Sequence, residues 1–341
     1  MRVIDSSAAP LAQAPVGTAA AGWNRLAASF PHHSIYQSWA WGEGKRRERF
    51  RPLRFTSQNE TGAAQLLWRK APLLPAGVIW VPGGPLARDP TSYLNILRSL
   101  RTEAKRLHSV LVVAPAFSRK DPLVLALTVA GYERSSFNLS PQATFQVDLA
   151  RSEQQILAGL HPRWRYDLRK SWREGVQIRH GHGPDLAAAF LRLYRETAVR
   201  AQFKPTLDEA ALDACLAAAG DGADVRIFLA SHKGADLAGA VVTLFGHEAR
   251  LVWAGSSSQG RNVMPSEAMH WNIMLWAQTQ GARVYDLHGS GGSPGSGRFE
   301  FKNRFGGTRV ELAGTWMPRP DGIWERLLTR LLQHKLAGHG V

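Results

Sequence analysis

The stretch VRIFLASHKGADLAGAVVTLFGHEARLVWAG, residues 225–255, decides the fold. Residues 225–230, 237–245 and 249–254 are rich in β-branched and aromatic side chains, and the breaks between them, Lys233-Gly234 and Gly246-His247, are short enough for antiparallel hairpins. The spacing predicts a three-stranded meander. Upstream, residues 152–174 read as a helix stopped by Gly175, 176–179 as a short strand, and 187–200 and 208–219 as two helices. Downstream, a polar loop (256–264) leads to a helix opened by Ser266 and Glu267 and followed by Gly281. A strand at 284–287 and a Gly/Ser loop at 289–297 come next.

The first half repeats this order less clearly. A helix at 18–29 leads through Tyr36-Gln37-Ser38-Trp39-Ala40-Trp41 to strands at 52–56, 63–68 and 78–81. A helix at 92–107, a strand at 110–114 and a helix at 121–130 follow, and 144–149 is expected to close the sheet. The tail, 321–336, reads as an amphipathic helix (Ile323, Trp324, Leu327, Leu328, Leu331, Leu332) that packs back on the body. A chain of 341 residues is long enough for two domains. They are expected at 1–150, completed by 315–341, and at 151–314, both α/β with mixed, largely antiparallel sheets.

Composition narrows the function. Apolar residues at 44% and charged residues at 20% exclude a disordered or fibrous chain. The excess of 42 basic over 27 acidic residues gives a net charge of +15, which points to a polyanionic partner. Cys215, the single cysteine, excludes a disulfide framework and a cysteine zinc site, and its Ala/Leu surroundings make it core filler. Residues 1–15 lack the pattern of a signal peptide, and no run approaches the ~18 apolar residues of a membrane span, so the chain is expected in the cytoplasm.

Three basic features could carry chemistry. In residues 161–173, Arg165, Arg169 and Arg173 recur every four positions, a stripe suited to phosphate oxygens, beside Trp164, Leu168 and Trp172 as anchors to the core. Lys45-Arg46-Arg47 follows the aromatic run at 36–41. Arg298-Phe299-Glu300-Phe301-Lys302-Asn303-Arg304 follows the Gly/Ser loop; its aromatics are expected to bury one side, placing Lys302 and Arg304 near the sheet opening, where a desolvated lysine can stabilise an oxyanion or a leaving phosphate-linked oxygen. The loop is no P-loop, since no Gly-Lys-Ser/Thr closes it and no helix clearly follows; it reads as a mobile lid or clamp. His180 and His182 read as surface loop rather than metal ligands, Ser256-Ser257-Ser258 lacks a nucleophile elbow, and Asp286 is expected to orient the loop after its strand.

The element order of the second half is the layout of the GNAT acyltransferase fold, whose sheet splits between its fourth and fifth strands to admit an acyl donor. Several stretches together resemble the Fem family of peptidoglycan bridge-forming aminoacyltransferases. They are Gln37-Ser38 with Trp41 and Lys45, Pro82-Gly83-Gly84-Pro85, Arg165 through Gly175-Val176, and residues 190–197 with Arg200 and Phe203. Ala254-Gly255-Ser256, Tyr285-Asp286-Leu287 and Phe301-Lys302 complete the set. The resemblance spans roughly residues 36–307 and implies two tandem GNAT-like domains. It implies transfer of an amino acid from aminoacyl-tRNA, as co-substrate with no bound cofactor or metal, to the stem peptide of UDP-MurNAc-pentapeptide or lipid II, the enzyme a monomer with contact at the inner membrane face left open. By the same resemblance Lys45 and Arg200 bind the acceptor's diphosphate, with Trp41, Arg165 and Arg169 also on the substrate. Trp253, in place of a tyrosine, lies near the acceptor. Lys302 stabilises charge near the donor ester, and Arg298 and Arg304 meet the tRNA. The coiled-coil arm of some relatives has no counterpart, and Ala114 stands where an acidic residue is expected, so a protein-derived base is in question. The alternatives are an N-acyltransferase using acyl-CoA, disfavoured by residues 259–264, which do not spell a CoA pyrophosphate loop, and a nucleic-acid-binding module.

Overall fold

Two sheets, each centred on one parallel strand pair, organise the computed structural model, which describes residues 12–13, 20–71, 76–205, 207–217, 219–290, 292–322 and 325–330. The chain divides into Met1–Gln142 with Glu311–Val341, and Ala143–Val310.

In the first unit β1 (Ala12–Gln13), α1 (Ala20–Ala28) and α2 (Trp39–Gly44) precede a meander of β2 (Arg51–Thr56), β3 (Gly62–Lys70) and β4 (Gly77–Gly83). β5 (Leu86–Ala87) pairs with β3, and α3 (Pro90–Arg106) crosses over to β6 (Ser109–Pro115), parallel to β4. α4 (Leu123–Val129) and β7 (Tyr132–Arg134) follow. β6 reads SVLVVAP and is buried at every position, as a central strand covered on both faces must be. α3 starts where Asp89 accepts from the Ser92 N–H and Pro90 supplies a preset first turn. Its Tyr93, Ile96, Leu97, Leu100 and Ala104, spaced along one face, pack on the sheet.

The second unit contains β8 (Ala143–Asp148), α5 (Glu153–Gly159), α6 (Pro162–Arg173), β9 (Gln177–Gly181), α7 (Pro184–Ala201) and α8 (Glu209–Leu216). Then come the meander β10 (Ala223–His232), β11 (Ala235–Phe245) and β12 (Glu248–Ser256), and finally α9 (Pro265–Thr279), β13 (Val284–Asp286), α10 (Gly297–Asn303) and β14 (Thr308–Glu311). The sheet order is β14-β8-β13-β12-β11-β10-β9, with β12 and β13 parallel.

The two units repeat one plan: an outer strand, two helices, a meander, a crossover helix and a parallel strand. In each, a strand from elsewhere in the sequence sits next to the parallel strand. The last strand among the described residues, Trp316–Pro318, lies between β6 and β7, and β8 lies between β13 and β14. This corrects the expected boundaries. Residues 144–149 do not close the first sheet; Asp148, Val147 and Gln146 pair with Val284, Tyr285 and Asp286, so the break falls after Gln142 rather than 150. Similarly the chain returns to the first unit at Glu311, not 315.

The single helix expected at 152–174 is two, because Pro162 cannot continue a helix and restricts the residue before it; Pro162 instead opens α6. Gly175, at φ +73°, ends α6 in a Schellman arrangement, its N–H on Trp172 O at 3.1 Å and the Val176 N–H on Ser171 O at 3.1 Å. Trp172 is no anchor: 40° of drift per four residues carries it off the face of Trp164 and Leu168, and it is 47% exposed. Of the tail helix, residues 325–330 are helical and Leu328 packs with Val110, Val112, Phe137 and Met317; Ile323, Trp324 and everything after 330 lie outside the described residues. Among the described residues no helix is long and apolar enough to cross a membrane.

Candidate active site

The second sheet comes apart at one end. β12 and β13 pair only through Glu248↔Val284, Ala249↔Tyr285 and Arg250↔Asp286. Beyond that point β12 continues to Ser256, whereas the chain after β13 turns away through His288 and Gly289, both at positive φ. A bulge in β12 falls at the same level: Val241 faces Trp253 and Val242 faces Leu251, so Val252 has no opposite residue. The bulge bends β12 where its neighbour leaves, which opens a gap at the carboxyl ends of the two strands.

Lys302 reaches this opening from α10, a helix the sequence did not announce. Ser296 Oγ caps it by accepting from the Phe299 N–H at 3.3 Å, and Phe299 and Phe305 seat it in the core. The Lys302 ammonium donates to the carbonyls of Leu287 (2.7 Å), His288 (2.9 Å) and Gly289 (3.0 Å). Burial brings its pKa down to about 8, Asp286 opposes that fall and Arg298 adds to it. An ammonium has three N–H donors, and here all three have carbonyl partners. Any further oxygen brought to the ammonium would have to replace one of them, and Gly289, on the glycine side of the turn, makes the longest contact.

Beneath the turn lies a polar network that sequence reading missed apart from Asp286. Asp286 accepts from Thr144 Oγ1 (2.8 Å), Gln146 Nε2 (3.1 Å) and the His288 N–H (2.7 Å), and Arg250 stands 3.6 Å away. Burial alone would raise its carboxyl, but Arg250 and the three hydrogen bonds hold it below its ordinary value. Burial raises the Glu248 carboxyl, although Arg250 binds it at 2.8 Å. Burial, with Arg250 and Lys302 nearby, lowers the His288 imidazole to about 4. His270, bonded to Tyr285 Oη at 2.8 Å, is lowered to about 3 by burial and Lys302, so both rings are neutral at pH 7. The usable signal was Glu248 and Arg250, charges two apart in an apolar strand and so on one face. Asp286 does orient the following loop, as expected.

At the end of β12 the serines act as anchors for α7. Thr197 Oγ1 donates to Ser256 O (3.0 Å) and accepts from its N–H (2.7 Å), and Glu196 accepts from the Ser258 N–H (2.6 Å) and Ser257 Oγ (3.1 Å). Arg200 donates to Ser256 O (2.8 Å) and Oγ (3.0 Å); its pKa is lowered by burial and by Arg261. A Cβ on Gly255 would stand 2.6 Å from the Tyr194 backbone nitrogen, so α7 crosses β12 where only glycine fits. Trp253 is half-buried against the α7 side of the sheet. Arg200, Trp253 and Lys302 thus all belong to the strand ends that diverge.

The remaining residues distribute differently. In the first unit Lys45 caps α2 and pairs with Glu48, its ammonium 5.1 Å from the Trp41 ring centre. Trp41 stacks edge-on with Tyr36, and its Nε1 is buried with no acceptor among the described residues. Gln37 ties two of the sequence signatures together: Nε2 donates to Pro82 O (2.7 Å) and Oε1 accepts from the Gln65 N–H (2.7 Å). In the second unit Arg165 is committed to the end of α5, on the carbonyls of Ala158 (2.6 Å) and Leu160 (3.2 Å), whereas Arg169, Arg298 and Arg304 are exposed. His180 lies in edge strand β9 rather than a loop, stacked on Phe228, and His182 pairs with Asp224 at 2.9 Å. Among the described residues no group of three or more His, Cys, Asp or Glu could hold a metal ion.

Comparison with known proteins places this geometry. Residues 162–303 match the family model of the acetyltransferase (GNAT) domain. No curated protein matches the chain in sequence. Among solved structures, FemX superposes with a TM-score of 0.82 at 17% identity, covering 91% of this chain and 97% of its own. A conserved protein of unknown function from Bacteroides thetaiotaomicron gives 0.61 at 10% identity, covering 90% and 98%. L-PGS from Bacillus licheniformis gives 0.55 at 14%, covering 84% and 89%. The chain therefore has the tandem GNAT fold seen in FemX.

Proposed function

We propose that the chain is a Fem-type aminoacyltransferase that moves an amino acid from aminoacyl-tRNA to the stem-peptide amine of a peptidoglycan precursor. The reading rests above all on Lys302, an ammonium held in the opened sheet of a fold shared with FemX. An aminoacyl ester is already activated. The acceptor amine attacks the ester carbon, a C–N bond forms, and the carbonyl oxygen gains negative charge in the tetrahedral intermediate. The C–O bond to the ribose then breaks, and the amine's proton ends on the departing hydroxyl. Lys302 would stabilise the oxyanion after exchanging one backbone carbonyl for it, and positioning supplies much of the remaining acceleration. In the second unit Arg200, with Trp253 near it on the α7 side, would take a phosphate of the acceptor; in the first unit Lys45, beside Trp41, is the candidate for an anion. The net charge of +15 suits two polyanionic substrates.

A second reading, acyl transfer from acyl-CoA, is favoured by one observation. α9 begins at Met264, whose side chain makes no capping hydrogen bond, so its amino-terminal end is open to a pyrophosphate even though Pro265 has no N–H and the Glu267 N–H is taken by its own carboxylate. Incubating the protein with UDP-MurNAc-pentapeptide and either charged tRNA or acyl-CoA, then weighing the acceptor, separates the two. One added amino-acid residue from the tRNA supports the first reading, an acyl mass from CoA the second, and an unchanged acceptor overturns both.

A further inference from the structure

The outward face of α6 has no part in the site described above. Its inner face is Trp164, Asp167, Leu168 and Ser171, all buried. At 100° per residue the opposite arc runs Trp172, Arg165, Arg169, Arg173, Tyr166, Lys170, Arg163. Five of these are cations. Two are large rings left in solvent, Tyr166 52% and Trp172 47% exposed. The helix's own acid, Asp167, is buried and spent on Arg163 at 3.1 Å, and Arg163 lies 5.4 Å from the Tyr166 ring centre.

The amino-terminal end of this face is tied to the catalytic helix. The His161 N–H donates to the Arg304 carbonyl at the end of α10 (3.0 Å), and Arg163 and Arg304 both act on Glu267 in the first turn of α9. A track of positive charge thus starts at the helix carrying Lys302 and continues along α6 for about 18 Å.

We propose that this outer face of α6 docks a single-stranded RNA end and its adjoining backbone, with Arg169 and Arg173 on phosphates and Tyr166 and Trp172 as stacking platforms. The inference deepens the aminoacyl-tRNA reading and rests on it. Cations interleaved with exposed rings are what unpaired nucleic acid requires, since every base has a face to stack. An anionic bilayer would also attract the cations, but it fits the arc less well. The two rings stand about 120° apart around the helix with the arginine row between them, so one flat surface cannot take both. A flexible strand lying along the row can turn bases to either side.

The test is fluorescence anisotropy of a labelled short single-stranded RNA against the full chain at several salt concentrations, with vesicles containing phosphatidylglycerol as a parallel probe. Tyr166→Ala should weaken RNA binding about 5- to 100-fold, and Tyr166→Phe, which keeps the ring, should restore it. Arg169→Ala and Arg173→Ala should each reduce the slope of log affinity against log salt by about 0.7. All three positions are on the surface, so the melting temperature should hold, which separates lost contact from lost fold. RNA affinity that is unchanged in Tyr166→Ala and both arginine variants overturns the proposal. So does vesicle binding that these variants abolish while RNA binding is absent. If the wild type transfers from aminoacyl-tRNA while the variants bind RNA normally, only the α6 assignment fails; if it never transfers from tRNA, the functional reading itself fails.

Discussion

Replacing Lys302 by methionine separates catalysis from stability in a way the site makes quantitative. The fall in its pKa from 10.5 to about 8 corresponds to roughly 3 kcal/mol of preference for the neutral amine. Methionine removes that cost of holding a buried charge. It also leaves the carbonyls of Leu287, His288 and Gly289 without their shared donor, a loss of about 1 kcal/mol each. The two effects nearly cancel, so urea denaturation at pH 7 should find the variant within about 1 kcal/mol of wild type. Turnover should instead fall about 100- to 1000-fold, the usual loss for one oxyanion donor, with KM little changed. The pH dependence carries the sign. In the proposed mechanism the ammonium is the active form, so wild-type kcat should decline as pH rises through about 8. The unfolded chain keeps this proton to about pH 10.4 and the folded one releases it near 8, so wild-type stability should rise between those values. The variant should lack both trends. Normal turnover in Lys302→Met would refute the catalytic role, and a large loss of stability at pH 7 would refute the cancellation.

Other substitutions probe the supports. Asp286→Asn should cost about 3 kcal/mol in urea denaturation, because Arg250 loses a buried partner, and should shift the alkaline decline in turnover to lower pH, because Asp286 opposes the fall in the Lys302 pKa. Gly255→Ala should destabilise by about 1–3 kcal/mol, since the new methyl meets the α7 backbone, and differential scanning calorimetry reads this as a lower Tm. Arg200→Ala should raise KM for the acceptor roughly 10-fold or more with a smaller effect on kcat, Lys45→Ala should do the same on its own, and unchanged steady-state constants in either variant would overturn that residue's role.

The meander at 225–255 was legible because its strands are long, apolar and punctuated by two-residue breaks, and the helix stop at Gly175 fell where the chemistry of helix ends puts it. The last strand was not legible. It has three residues and pairs with β6 at Trp316↔Val113 alone, too short for any alternation to register. β8 was seen as a strand, but nothing local says which sheet it joins. In the candidate site, Lys302, Arg200 and Trp253 were named by the resemblance. The carbonyl cage around Lys302 could not, because main-chain acceptors carry no residue type. Arg165 looked like part of a phosphate stripe, yet its guanidinium is absorbed by the helix break that Pro162 imposes.

The placement of Trp316–Pro318 between β6 and β7 reverses the order in which the protein can be finished. As the chain leaves the ribosome, everything up to residue 142 emerges with a vacancy in its sheet that only residues near the end can fill. The later-made unit has β8 in hand and all its own strands by residue 311, so it can mature first. Until translation reaches Trp316, β6, with its run of valines, lacks that neighbour and presents an adhesive edge. A chain terminated and released just short of it would carry every strand of its second unit joined to a sticky amino-terminal one.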